Sequence, residues 1–225
     1  MTETVYMVSA GIIPVVLAIT LHEVAHGYVA RENGDSTAAD AGRLTLNPLR
    51  HIDLFGTVLL PGLLFISGLP PFGYAKPVPV NFGNLRNPKR DMVWVAAAGP
   101  AVNMLMAVGW AILFNLAVFM DGDIQAWFAN MAQIGIAANV ALLVFNMIPL
   151  PPLDGGRVAV GLLPLPLARP LARAERFGMP ILFASILGPA IINEIFGTNY
   201  HPVWAIIQPV VKFLYDGINN LFMFV

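Results

Sequence analysis

Residues 5–30 read VYMVSAGIIPVVLAITLHEVAHGYVA, a stretch whose only aspartate, glutamate, lysine or arginine is Glu23. About 20 mostly apolar residues suffice for a helix to cross the hydrocarbon core of a bilayer. The stretch therefore predicts a membrane helix, and this helix carries His22, Glu23 and His26. Ionisable side chains are costly inside a membrane and are seldom present there without a function. The segment lacks the basic beginning of a signal peptide, so we expect it to be retained.

The composition of the whole chain supports a membrane protein and excludes several other classes. The 225 residues are 57% hydrophobic and 11% charged, against roughly 25% charged in ordinary soluble domains. A net charge of −1 without a basic stripe excludes a nucleic-acid binder. The absence of cysteine excludes disulfides, thiolate zinc sites and cysteine nucleophiles. We expect residues 1–225 to form a single integral membrane domain.

The spacing of charged residues predicts an all-α polytopic membrane protein with five to six membrane segments. Long stretches without aspartate, glutamate, lysine or arginine mark where apolar helices fit. The fourth segment contains several prolines and is predicted to be a broken helix. The predicted segments are residues 5–30, 54–72, 92–120, 130–163, 177–196 and 202–222.

The second segment and the residues after it are predicted to be irregular. Segment 54–72 has basic residues on both flanks and contains several prolines and glycines, so we expect a re-entrant or tilted segment. An ordinary span followed by a re-entrant loop is the alternative. Residues 74–81, with prolines at 77 and 79, are predicted to form a small strand or hairpin at the membrane surface, confined to an edge position. Such a strand would be able to pair with another extended peptide segment.

The distribution of lysine and arginine predicts the orientation in the cell membrane. Basic residues concentrate in the loops 31–53, 73–91 and 157–176, whereas the N-terminus has none. Because basic loops stay in the cytoplasm, the N-terminus is expected outside. The same argument predicts that the end of the first segment that carries His22, Glu23 and His26 opens towards the cytoplasm.

The sequence HEVAH at residues 22–26 is an H-E-x-x-H motif within the first apolar helix. Histidines four residues apart lie on one face of a helix. His22 and His26 are therefore candidate ligands for one Zn²⁺, and Glu23 is placed to handle the proton of a bound water. A set of interfacial polar residues bonded to neighbours is the alternative interpretation.

A catalytic zinc takes three protein ligands, so a third ligand is expected from elsewhere in the chain. Asp154 is the best candidate, because it lies in NMIPLPPLDGG at 146–156, where prolines break the helix. Unwound backbone is tolerated at membrane depth only when it is buried in protein or faces a water-filled cavity. A plain turn is the alternative for Asp154. Glu194, near a predicted outer membrane boundary, is the main rival ligand.

Several other polar residues are weaker candidates. Asn146 is predicted to donate a hydrogen bond to the substrate carbonyl, or else to make an interhelical bond. Asn103 and Asn139 fit helix packing better than catalysis. His51 and Asp53 fit a loop cap or turn better than a supporting role at the metal.

The chain resembles the site-2 protease family of intramembrane zinc metalloproteases, in its short bacterial branch. The resemblance rests on HEVAH at 22–26 and on N-x-x-P-x(4)-D-G at 146–155. Further similar motifs are GRLTLNP at 42–48, HID at 51–53, AKPVPVN at 75–81 and GPAVN at 99–103. Many relatives carry a PDZ domain and some a CBS domain, neither of which we find in residues 1–225.

The resemblance implies one zinc per chain, bound by His22, His26 and Asp154, with Glu23 as the catalytic base. It implies hydrolysis of a peptide bond within or near the transmembrane segment of a membrane protein or a signal-peptide remnant, as in regulated intramembrane proteolysis. The expected partners are such a substrate helix and the lipid bilayer, without nucleic acid; the oligomeric state is left open. The alternatives are another membrane zinc peptidase with Glu194 as ligand, a metal transporter, and a non-catalytic binder of membrane segments.

Overall fold

The computed structural model describes residues 3–68 and 73–223 and is built almost entirely from helices. The described residues are 79% helical and contain no β-strand. Short 3-10 turns lie at Pro48–His51, Phe82–Asn84 and Glu175–Phe177, and a π-helical turn lies at Leu54–Leu59. The α-helices are α1 (Glu3–Glu32), α2 (Thr37–Asp40), α3 (Leu60–Ile66), α4 (Pro88–Ala117), α5 (Gly122–Asn146), α6 (Asp154–Leu162), α7 (Leu165–Ala174), α8 (Gly178–Phe196) and α9 (Pro202–Phe222).

Four helical stretches are long and apolar enough to cross a membrane, which confirms a polytopic helical protein. They are Val8–Glu32, Pro88–Ala117, Gly122–Asn146 and Leu165–Phe196. The predicted segment 202–222 coincides with α9, which is not among the four. The count of five to six membrane segments therefore stays a prediction.

The predicted segment 54–72 contains a helix too short for a plain crossing. The π-helical turn Leu54–Leu59 has 6 residues and α3 has 7. Together they span about 20 Å, against roughly 30 Å of hydrocarbon. The Pro61-Gly62 pair does not break this helix, because Pro61 lies in the first turn of α3, where proline is tolerated. A re-entrant or tilted segment fits this length, and residues 69–72 lie outside the described ranges.

The predicted strand or hairpin at 74–81 is corrected to an extended segment without a β-ladder. Its amides donate to scattered acceptors: Tyr74 N–H to the Gly56 carbonyl at 3.0 Å and Lys76 N–H to the His51 carbonyl at 2.9 Å. The physical reason is that the prolines at 77 and 79 supply no N–H donor, so a regular ladder cannot form there.

The helices α1, α4 and α5 pack together around a core of small and branched residues. Ala107, Ala111 and Ala132 are fully buried, as are Ile136 and Val140. Small side chains let membrane helices approach closely. The short helix α6 packs on α4. This arrangement brings the N-terminus of α6 to the bundle formed by α1 and α4.

The predicted break in the fourth segment lies between α5 and α6. α5 ends at Asn146, and α6 begins at Asp154 after an irregular connection. A Cβ on Gly155 would lie 2.2 Å from the Met147 carbonyl oxygen. The connection thus folds back directly onto the first turn of α6, which carries Asp154.

Candidate metal centre

Two histidines of α1 and the first residue of α6 converge on one point. The Nε2 atoms of His22 and His26 lie 3.0 Å apart. Asp154 Oδ2 lies 3.1 Å from the first and 3.3 Å from the second. All three side chains are buried. Among the described residues they form a group whose ligand atoms lie within 4.8 Å of one another, as a metal requires.

The spacing of these three atoms fits a zinc ion. Zinc–ligand bonds of about 2.0–2.1 Å in tetrahedral geometry place the ligand atoms about 3.3 Å apart. Asp154 Oδ2 accepts no hydrogen bond in the part of the chain described, although it is buried. A cation between the three atoms would satisfy this oxygen. Two imidazoles and one carboxylate are also a donor set that zinc accepts.

Both histidines are oriented through their second ring nitrogen. His26 Nδ1 lies 2.7 Å from the carbonyl oxygen of Val95, and His22 Nδ1 lies 2.5 Å from Oδ1 of Asn103. Because carbonyl oxygens only accept, each Nδ1 carries the proton and donates. Each Nε2 then has its lone pair free for a metal, in the usual arrangement of zinc-binding histidines.

Asn103 connects His22 to a second buried asparagine. Asn103 Nδ2 donates to Asn139 Oδ1 at 2.8 Å, and Asn139 Nδ2 donates to the Gly135 carbonyl at 2.8 Å. The two asparagines therefore join α4 to α5, as expected for helix packing. The contact of Asn103 with His22 is additional and is absent from the sequence analysis.

Gly99 on α4 faces the two ligating nitrogens directly. A Cβ at this position would lie 2.4 Å from His26 Nε2 and 2.6 Å from His22 Nε2. Any side chain there would collide with the metal-binding atoms. The sequence signal was the Gly99-Pro100 pair inside an apolar helix, but the partner of such a glycine is visible only in three dimensions.

Glu23 lies next to the histidines and lines an apolar cavity. The cavity has a volume of about 640 Å³, and its polar lining includes His22, Glu23, His51, Tyr74 and Asn146. Glu23 Oε2 accepts a hydrogen bond from the main-chain N–H of Val78 at 2.7 Å. This contact could not be predicted from the sequence, because every residue except proline has a main-chain N–H.

Asn146 lies on the cavity wall, but its amide is engaged. Asn146 Nδ2 donates to the Leu142 carbonyl at 3.0 Å, within α5. The bond is neither to a substrate nor between helices. The role of Asn146 towards a substrate carbonyl thus stays a prediction.

The remaining candidates have local roles. His51 Nε2 pairs with the Thr45 carbonyl at 3.0 Å, and Asp53 accepts from Gly56 N–H at 2.7 Å at the start of the π-helical turn. Both contacts agree with the loop interpretation, although His51 also lines the cavity. Glu194 is exposed on α8 and is not part of the metal-binding group found among the described residues.

The chain is similar to several known proteins along most of its length. The "Putative zinc metalloprotease YwhC" of Bacillus subtilis (strain 168) is 37% identical over 188 residues, covering 80% of this chain and 83% of YwhC. The "Putative zinc metalloprotease Rip2" of Mycobacterium tuberculosis (strain H37Rv) is 32% identical over 200 residues, covering 85% of this chain and 73% of Rip2. Rip2 of Mycolicibacterium smegmatis is 30% identical over 186 residues, covering 82% of this chain and 69% of that Rip2.

No family model matches the chain, and no solved structure matches it. The relatives named above are nevertheless similar to this chain over most of both sequences. With two histidines and an aspartate converging as a zinc site requires, this chain belongs to the zinc metalloprotease family of YwhC and Rip2.

Proposed function

We propose that this protein is an intramembrane zinc metalloprotease of the site-2 protease type. It hydrolyses a peptide bond within or near the transmembrane segment of a membrane protein, as in regulated intramembrane proteolysis. The observation that carries the proposal is the convergence of His22, His26 and Asp154 beside Glu23, where α1 is apolar enough to cross a membrane. Ionisable groups in such a helix are functional by default.

Each polar residue at the candidate centre has a role in the proposed reaction. His22, His26 and Asp154 would hold one zinc per chain. Zinc bound there supplies Lewis acidity and a water of lowered pKa. Glu23 accepts the proton of the attacking water and returns it to the leaving amine. Asn146 contributes a hydrogen bond to the substrate carbonyl once its amide leaves the Leu142 oxygen.

The lining of the cavity supports an apolar substrate. Apart from its few polar residues, the cavity is lined by apolar side chains, and a second cavity of about 500 Å³ shares Ile19, Leu142 and Phe145 with it. A helix in lipid has its backbone fully hydrogen-bonded, so the substrate must unwind before cleavage. The substrate class is a single-span membrane segment or a signal-peptide-like remnant in the lipid bilayer.

The proposed location is the cytoplasmic membrane, with several crossings, the N-terminus outside and the site open to the cytoplasm. Basic residues adjoin the His26 end of α1: Arg31 lies in its last turn, and Arg43 and Arg50 follow in the next loop. Basic loops remain on the cytoplasmic side of membrane proteins. The helices that supply the centre pack on one another, which supports residues 1–225 acting as one unit.

Cleavage of a defined membrane probe tests the proposal. The probe is a tagged single-span polypeptide whose leucine–alanine segment contains a central Gly-Pro pair, because a proline weakens the helix that must open. The zinc-loaded wild type is compared with zinc-loaded Glu23→Gln in detergent, and products are measured by mass spectrometry. We expect cleavage within the segment by the wild type only. Equal products from both proteins, or none from either, would overturn the proposal.

A further inference from the structure

One contact joins the helix with the metal-binding histidines to a distant part of the chain. Glu23 Oε2 accepts the N–H of Val78 at 2.7 Å, across 55 positions in sequence. Charge-assisted hydrogen bonds to a carboxylate are among the stronger ones in proteins. The donor belongs to the extended segment 73–81, whose predicted role was pairing with an extended substrate.

The approach of this segment to α1 depends on Gly27, one turn beyond Glu23. A Cβ on Gly27 would lie 2.8 Å from Val78 Cγ1 and 2.6 Å from Leu44 Cδ2. Val78 is buried against this face. The glycine thus allows the main chain of the segment to come within hydrogen-bonding distance of the Glu23 side chain.

The segment is fixed on both sides of Val78. Before it, Lys76 N–H donates to the His51 carbonyl at 2.9 Å, and Arg43 donates to the Lys76 carbonyl at 2.9 Å. After it, Asn81 N–H donates to Asp35 Oδ2 at 2.7 Å. The donor at Val78 is therefore held in place from both directions.

The flanking prolines restrict this donor further. Val78 stands between Pro77 and Pro79, and a residue before proline is confined to extended backbone. Neither proline has an N–H. The amide of Val78 is consequently the single main-chain donor of residues 77–79, and it is directed at Glu23.

We propose that the main-chain amide of Val78 is a positioning group for Glu23 in the proteolytic reaction. This inference rests on the proposed function. The amide holds Oε2 and leaves Oε1 as the oxygen that takes the proton. A free glutamate side chain samples several rotamers, and a misplacement of about 1 Å at a reacting centre costs up to about 100-fold in rate. The Val78 amide is thereby engaged within the protein and not offered to a substrate.

Amide exchange tests the contact without any substrate. In the zinc-loaded protein we expect slow hydrogen exchange at the Val78 amide, and exchange at least about tenfold faster in Glu23→Ala. Glu23→Gln keeps an accepting oxygen and should retain the protection. The Lys76 amide, which donates to the His51 carbonyl, is the internal reference. Equal exchange at Val78 in wild type and Glu23→Ala, or equal acceleration at Lys76, would overturn the inference.

Kinetics then test the consequence of the contact. Val78→Pro removes the donor, whereas Val78→Ala keeps it and loses only side-chain packing. On the membrane probe described above, we expect kcat to be about 10- to 100-fold lower for Val78→Pro than for Val78→Ala. KM should agree within about threefold, and zinc per chain should be equal. Equal kcat for the two variants would contradict the inference.

A second change covers the case in which Val78→Pro fails to fold. Replacement of Val78 by its α-hydroxy acid converts the amide to an ester and removes the N–H while keeping the side chain. The same fall in kcat is expected, and wild-type kcat would contradict the inference. If the wild type itself leaves the probe uncut, the proposed function fails, while amide exchange at Val78 still decides the contact.

Discussion

Asn103 Oδ1 lies 2.5 Å from His22 Nδ1, which places an α4 side chain behind a histidine of α1. Both residues are buried, and the amide group of Asn103 is held in turn by Asn139. Partners in this position fix the tautomer and the ring orientation of a metal-binding histidine. The candidate zinc site thus depends on a polar network that crosses three helices.

Removal of this support should weaken zinc binding without abolishing it. For Asn103→Leu we expect a loss of about 10- to 100-fold in zinc affinity, measured by competition with a chromophoric chelator. Asn193→Ala is the control, since the hydrogen bonds of Asn193 among the described residues are to Thr198 and Tyr200, just after the end of α8. An unchanged affinity in Asn103→Leu would show that Asn103 serves helix packing alone.

Gly99 should be the most sensitive glycine of α4. A Cβ there would lie 2.4 Å from His26 Nε2, so Gly99→Ala is expected to lose bound zinc. Gly109→Ala is a matched control on the same helix, because nothing lies within 4 Å of its added Cβ. The control should keep its zinc and gain up to about 1 kcal/mol in stability from helix propensity. Zinc retained by Gly99→Ala would contradict the described packing of α4 on α1.

The first turn of α6 should tolerate no Cβ at Gly155. The added atom would meet the Met147 carbonyl oxygen at 2.2 Å, and this neighbour is main chain that cannot rotate away. We expect Gly155→Ala to displace Asp154 and to lower zinc per chain, as measured by elemental analysis. Gly188→Ala, which has open space around its Cβ, is the comparison. Equal zinc contents in the two variants would argue against this geometry.

Asp35 should make stability depend on pH. Burial raises the pKa of its carboxyl, but hydrogen bonds from Thr37, Asn81 and Asn84 outweigh burial and hold the pKa below its ordinary value. A carboxyl whose pKa is lower when folded stabilises the protein above the unfolded pKa of about 3.9. This stabilisation is lost as the pH falls through the folded pKa.

The matching experiment compares melting temperatures in detergent between pH 7 and pH 3. Asp35→Asn should melt lower than the wild type at pH 7, by the equivalent of about 1–3 kcal/mol. The difference should shrink as the pH falls below about 4. Asp40→Asn, at an exposed residue, should change stability by less than about 0.5 kcal/mol. A difference for Asp35→Asn that is constant with pH would refute the role of its charge.

The sequence predicted those parts of the candidate site that depend on the spacing of particular residue types along the chain. The i, i+4 spacing places His22 and His26 on one face of any helix, and the prolines before Asp154 mark the break that is present between α5 and α6. The partner of Asn103 was not predictable, because it depends on how α4 packs on α1. The Val78 donor was not predictable either, since it is main chain and its position depends on Gly27.

In the extended segment 73–81, β-propensity alone predicted the wrong backbone structure. Its β-branched valines favoured a strand, but Pro77 and Pro79 remove donors that a ladder needs. The amides of Tyr74, Lys76 and Val78 bind two main-chain carbonyls and the Glu23 side chain instead. The idea that it pairs with an extended substrate stays a prediction.

The metal content of the purified protein is the decisive test of a zinc centre formed by His22, His26 and Asp154. Wild type, Asp154→Ala and Glu194→Ala are compared by elemental analysis in detergent. About one zinc per chain is expected in the wild type and in Glu194→Ala, and a sharp loss is expected in Asp154→Ala. Zinc retained by Asp154→Ala, or lost from Glu194→Ala, would contradict the centre formed by His22, His26 and Asp154.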